Sequence, residues 1–222
     1  MSAVDSGLLG RPLSLVLVFS LIGLLPFAFM ALTSFVKIAT VLQIVRGAIG
    51  AQSVPSSSVV LALSAALTLI AMAPVGSRIA ERLEPLLVRG TSDLAAVLPE
   101  AIEAVREPLR SFLSANASAK EKSRFLALVR QRQGPGAEVA ETDLRVVVPA
   151  FLVTELLEAF TLGFAIYLPF LVIDLVVANV LIGLGMQMMN PTQISLPFKL
   201  LLFVAADGWG LLAEALVSGY ST

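Results

Sequence analysis

The chain has 222 residues, 57% hydrophobic and 14% charged, with a mean hydropathy of +0.91 and a net charge of −1. Ordinary soluble domains carry roughly 25% charged residues, so this much apolar surface must face lipid or other subunits rather than one small core. A pI near 5.5 gives no basic footprint for nucleic acid. The absence of cysteine and histidine removes disulfides, thiolate catalysis and the usual zinc and haem ligands, so no cofactor is expected.

In chain order, the first apolar run lies between Arg11 and Lys37, twenty-five uncharged residues, where a membrane-spanning helix needs about 20. Pro26 inside it predicts a kink. A secretory signal peptide is the alternative reading of an N-terminal apolar run. Asp5 beside Arg11, and the lack of a small-x-small cleavage site, argue against it. Arg46 to Arg78 brackets thirty-one uncharged residues. There Gly47 to Ser58 reads as a turn-rich connection, and Val59 to Ala73 as a helix ahead of Pro74 and Gly76.

The middle differs in kind: Arg78 to Arg145 holds 21 of the 31 charges in 68 residues, which reads as a soluble segment. A helical stretch from Leu94 to Leu113 is expected to break at Pro99 and Pro108. Ser118-Ala119-Lys120-Glu121 is a capping box opening a helix that Gly134-Pro135-Gly136 ends. Asn116-Ala117-Ser118 matches the glycosylation sequon, a pattern short enough to arise by chance.

From Pro149 to Tyr220 only six charges interrupt the apolar sequence: Glu155, Glu158, Asp174, Lys199, Asp207 and Glu214. One run covers Ala159 to Ile173 with Pro169 inside it, the next Leu175 to Phe198, and a shorter one follows Lys199. An ionisable group in such a segment costs several kcal/mol unless paired or facing a cavity, which makes Asp174 a functional suspect. Asp207 precedes Gly208-Trp209, whose indole suits an interfacial anchor. Gly163, Gly183, Gly185, Gly208 and Gly210 permit close helix contact. Glu155 and Glu158 share one helical face, but with no histidine nearby they make neither a metal site nor a catalytic dyad.

The pattern predicts an all-α protein of integral-membrane-type helical hairpins. Four long apolar helices flank a small helical soluble insert, with divisions at 1–77, 78–145 and 146–222. Four crossings put the insert and both termini on one side, with Lys37, Arg46 and Lys199 marking the cytoplasmic one. The sequence shows neither an internal repeat nor a concentrated midplane polar site, which argues against a small-solute transporter or an intramembrane enzyme.

The stretch VPAFLVTELLEAFTLGFAIYLPFLVIDLVVANVLIGLGMQMMNPTQISLPFKLLLFVAADGW resembles the signature region of the SctR/FliP family of type III secretion export-gate proteins. GLLPFAFMALTSFVKIATVLQIVRGAIGAQSVP followed by MAPVG resembles that family's N-terminal block. The likeness covers roughly residues 20 to 76 and 145 to 220, with a weaker trace at Glu107-Pro108-Leu109-Arg110-Ser111-Phe112. Two departures fall in the first connection: Gly47 stands where the family usually carries Asn, and Ser56 where a second Pro is common. RGAIG and MQM, the short length and the lack of a convincing cleavable signal resemble the injectisome branch, SctR, more than the flagellar branch, FliP.

The resemblance implies a non-enzymatic subunit of the bacterial inner membrane, sitting in the secretion base and projecting to its periplasmic side. It implies a pentameric ring with SctS-like and SctT-like subunits, beside SctU-like and SctV-like components, through which unfolded effector polypeptides pass. Family members pack as hairpins lifted largely out of the bilayer plane. The resemblance places Glu155 and Lys199 among charges used between C-terminal helices or subunits, so the two are expected to form a buried pair. Snorkelling to an aqueous boundary is the alternative for each. It also places Met186, Gln187, Met188 and Met189 in a methionine-rich loop that seals the channel, against the alternative of ordinary packing.

Overall fold

A computed structural model describes residues 5–50, 55–88, 94–133, 138–186 and 188–221. Among them are nine helices and no strand: α1 (Asp5–Leu32), α2 (Phe35–Ile49), α3 (Ser57–Ala71), α4 (Ala73–Val88), α5 (Leu94–Asn116), α6 (Ala119–Gln133), α7 (Leu144–Gly183), α8 (Pro191–Ala205) and α9 (Gly208–Ser218). The all-helical class read from hydropathy holds. Of the described residues, only α7 is by itself long and apolar enough to cross a membrane. Three bent pairs, α1–α2, α3–α4 and α8–α9, reach that threshold if each is counted as one span.

Several expected breaks lie elsewhere. Pro26 sits inside α1, and the chain turns by 73° after Leu32 instead. The Thr33 hydroxyl explains the site: it donates to the Phe29 carbonyl at 2.6 Å and accepts from the Phe35 amide at 3.3 Å, partnering backbone groups that a bend frees. α2 continues to Ile49, so the first connection starts at Gly50, whose φ of 80° makes the left-handed C-cap. α5 passes through Pro99 and Pro108 without a break, and α7 through Pro149 and Pro169. Each proline forfeits one helical hydrogen bond. Burial around Pro108, with Phe112 and Leu113 1% and 0% exposed, holds α5 together.

The capping box at Ser118 is half formed. Ser118 Oγ accepts from the Glu121 amide at 3.3 Å. Glu121 turns to Arg124 instead of reaching back, and the Ser118 amide donates to Thr154 Oγ1 at 3.0 Å. Gly134-Pro135-Gly136 lies outside the described residues. α7 opens on Asp143, whose carboxylate accepts from the Arg145 amide at 2.9 Å. The Arg145 guanidinium and amide, both bonded to it, hold its carboxyl down at about 2.

The centre of the molecule is α2. Its Ile38, Val41, Leu42, Val45 and Ala48 are all within 1% of full burial and pack among Val60 of α3, Phe112 and Leu113 of α5, Phe151 and Ala159 of α7, and Phe203 of α8. Gly163 gives room to α2, since an added Cβ there would fall 2.5 Å from Ile44 Cδ1. Gly208 likewise gives room to the Phe203 ring, whereas nothing approaches Gly183 or Gly185 within the chain. Trp209 is half-buried and meets Phe203 edge-on with centroids 5.1 Å apart.

Candidate functional site

Two buried ion-pair clusters sit at opposite ends of α2. At its N-terminal end Lys37 Nζ lies 3.2 Å from Glu155 Oε1 and 2.9 Å from Glu158 Oε2, both on α7. The spacing that puts the two glutamates on one helical face thus serves a single lysine. The same ammonium lies 4.0 Å above the ring of Tyr220. The Tyr220 hydroxyl donates to Glu155 Oε2 at 2.5 Å. Burial pushes that phenol far above its ordinary range and the Glu155 charge pushes the same way, so the hydroxyl keeps its proton and acts as a donor.

At the C-terminal end Lys199 Nζ of α8 lies 2.7 Å from Asp174 Oδ2 of α7 and donates to the Ala48 carbonyl at 3.1 Å. That carbonyl belongs to the last turn of α2, whose open acceptors and negative dipole end favour a cation. Ser195 Oγ donates to the other Asp174 oxygen at 2.5 Å. Gly50 packs against this cluster, its Cβ direction pointing at Thr192 and Lys199.

The expected Glu155–Lys199 pair does not form within the chain. Each residue is buried and paired, Glu155 with Lys37 and Lys199 with Asp174, at opposite ends of α2. Asp174 lies well inside α7, so it marks no helix end. Lys37 and Lys199 are 4% and 2% exposed, which removes both from any count of loop charges on a cytoplasmic face. Asp207 is exposed and takes a left-handed conformation at φ 49°, with no side-chain cap on α9. It joins neither cluster.

The methionines occupy the tip between α7 and α8. Gly185, at φ 72°, ends α7 in a Schellman turn: the Met186 amide donates to the Leu181 carbonyl at 2.9 Å and the Gly185 amide to that of Ile182 at 3.0 Å. Asn190 starts α8 by accepting from the Thr192 amide at 3.0 Å, with Pro191 at the first helical position. Between these two stops the side chains are left outside: Met188 is fully exposed, and Met186 and Met189 are partly so at 42% and 41%. Gln187 lies outside the described residues. The tip crowns an apolar surface that runs down α7 and α8 through Phe160, Phe164, Leu175, Val180 and Leu201, each more than half exposed. A monomer in water does not leave such a face uncovered.

Sequence reasoning singled out Lys37 only as a loop marker and missed Tyr220. The signal for Lys37 was present: with Val41, Val45 and Ala48 it shares the most apolar stripe of α2.

The sequence signature of the FliP family matches residues 18–216. The chain belongs to the FliP family. This FliP-family chain is 41% identical over 210 residues to the hypersensitivity response secretion protein HrcR of Ralstonia nicotianae, covering 93% of this chain and 96% of that one. It is 41% identical over 214 residues to the Yop proteins translocation protein R of Yersinia pestis, covering 94% and 96%. The flagellar biosynthetic protein FliP of Caulobacter vibrioides is 43% identical over 216 residues, covering 97% of this chain and 79% of its own. Both clusters and the methionine tip fall inside the FliP-family match, except Tyr220.

Proposed function

We propose that this FliP-family chain is an export-gate subunit of a bacterial type III secretion apparatus. Several copies form a ring, pentameric by family resemblance, through which unfolded polypeptides pass. The observation that carries the reading is near-full-length identity to two proteins named for secretion and translocation, HrcR and Yop translocation protein R. The long exposed apolar face of α7 and α8 supports it, because neighbouring subunits or lipid must cover that face. α7 is about 60 Å long at 1.5 Å per residue, twice the roughly 30 Å hydrocarbon core of a bilayer. That length suits a hairpin that leaves the bilayer plane to pack against other subunits.

In this reading the ring lies in the inner membrane and projects toward the periplasm, with the insert and both termini on that side. Small apolar export subunits of the SctS and SctT kind complete it, and SctU-like and SctV-like components adjoin it. The chain works as structure, not as a catalyst. The exposed tip of Met186, Met188 and Met189 supplies the gate: unbranched thioethers close around varied polypeptides, and an uncharged constriction resists ions by dewetting. The identity to flagellar FliP favours a second reading, a gate for flagellar components. We place the chain with the injectisome.

Deleting the gene should abolish export of injectisome substrates and leave motility intact; lost motility with secretion unchanged would favour the flagellar reading. Replacing Met186, Met188 and Met189 together with Ala should leave the assembled ring intact and raise its ion conductance. Unchanged conductance in an intact ring would refute the gate and leave the three as packing residues.

A further inference from the structure

The last described residues leave α9 and cross back over three elements. Tyr220 is 9% exposed, with its ring centroid 5.8 Å from that of Phe112 on α5. Its hydroxyl reaches Glu155 on α7, and the Ser34 carbonyl at the start of α2 lies 3.2 Å away. One residue on, Ser221 exchanges two hydrogen bonds with Asn116 at the end of α5. Asn116 Nδ2 donates to the Ser221 carbonyl at 2.9 Å, and the Ser221 amide donates to Asn116 Oδ1 at 3.0 Å. These ties span 186, 65 and 105 positions of sequence.

We propose that Tyr220–Ser221 form a strap that clamps the charged insert onto both apolar hairpins, with Tyr220 the positioning residue for the Lys37–Glu155 pair. Each tie goes to a different part of the molecule. The hydroxyl has a definite electrostatic task. Lys37 is one cation shared by two carboxylates, and Glu158 is half exposed while Glu155 is not. The half-exposed carboxylate has water as a further partner. The buried one has, besides Lys37, only Tyr220, because an acceptor sealed from solvent needs a protein donor. A polar cavity of about 240 Å³ opens beside the strap, lined by Lys37, Asn116, Ser118, Thr154, Glu158 and Ser221 among others. Lifting the strap would therefore admit water to the pair and release α5 from α2 and α7 in one event.

Hydrogen exchange on the full-length, detergent-solubilised protein tests this. The Ser221 amide should be protected in the wild type, through Asn116. Tyr220→Phe keeps the ring and removes only the hydroxyl. Loss of a hydrogen bond to a charged group should speed exchange about 10- to 100-fold, at Ser221 and also at the Ala117 amide just after α5 and the Ile38 amide of α2, which bond to Leu113 and Ser34. Asn116→Ala should do the same from the other end. In the Tyr220→Phe background the chain's lack of cysteine allows a single disulfide from Asn116→Cys with Ser221→Cys, which should restore protection at Ala117 and Ile38. An unprotected Ser221 amide in the wild type would overturn the strap. So would variants that loosen residues 219–221 while Ala117 and Ile38 keep their wild-type rates.

Discussion

Replacing Lys37 with Ala should destabilise the protein more than any other single charge removal. Lys37 and Glu155 have side chains 5% and 1% exposed, so the substitution strands a carboxylate that can neither reach bulk water nor find another cation. Breaking a buried pair from one side costs roughly 3–5 kcal/mol. The lost contact with the Tyr220 ring is part of that figure rather than additional to it. Against a total stability on the order of 5–15 kcal/mol, this is at least about a fifth. For a chain of this size it converts to a fall in Tm of roughly 6–20 °C, at about 2–4 °C per kcal/mol.

Thermal unfolding in detergent, followed by the fluorescence of Trp209, measures it. Lys37→Glu combined with Glu155→Lys should recover part of the loss. Lys37→Met with Glu155→Gln should recover more, since neutral side chains carry no buried charge. Lys199→Glu with Glu155→Lys should recover nothing, because those positions do not meet. A Lys37→Ala protein that melts within about 2 °C of the wild type would refute the claim that this pair is buried and coupled.

Lys199→Ala should cost less, about 1–3 kcal/mol, because Asp174 is 26% exposed and keeps the Ser195 hydroxyl; a loss equal to that of Lys37→Ala would mean the second cluster is as sealed as the first. Gly163→Val should weaken the α2–α7 contact by roughly 1–3 kcal/mol, since its Cβ would already lie 2.5 Å from Ile44 Cδ1 and 3.2 Å from the branched Ile44 Cβ, which no side-chain rotation removes. Gly183→Ala, with nothing within 4 Å, is the control in the same helix and should melt as the wild type does.

The helical class, the apolar hairpins and the suspicion falling on Asp174, Glu155 and Lys199 were legible because hydropathy and the cost of a buried charge are local properties of the sequence. The starts of α8 at Asn190-Pro191 and of α3 at Ser56 carry ordinary cap chemistry, but the apolar runs alone begin the second helix at Val59 and carry the fourth stretch straight through Asn190. Charge pairing was not legible. Lys37 and Glu158 are 121 positions apart, and whether Lys199 faces Glu155 or Asp174 depends on how α8 lies against α2 and α7. Prolines misled in a consistent direction. Pro26, Pro99 and Pro108 each read as a kink or break, yet α1 and α5 run through them, and at Pro108 the burial of Phe112 and Leu113 outweighs one missing hydrogen bond. The bend of α1–α2 came instead from Thr33, a residue whose hydroxyl can replace backbone partners and whose type gave no warning. Tyr220 drew no attention because its partners, Ser34 and Glu155, lie 186 and 65 positions away in sequence.

The mass of the intact complex, purified in mild detergent and measured by native mass spectrometry, tests the central claim most directly. An export gate predicts a closed assembly containing several copies of this chain, five by family resemblance, together with small apolar partner subunits. A homogeneous species at one copy, 23.4 kDa, stable and with no partner bound, would contradict it.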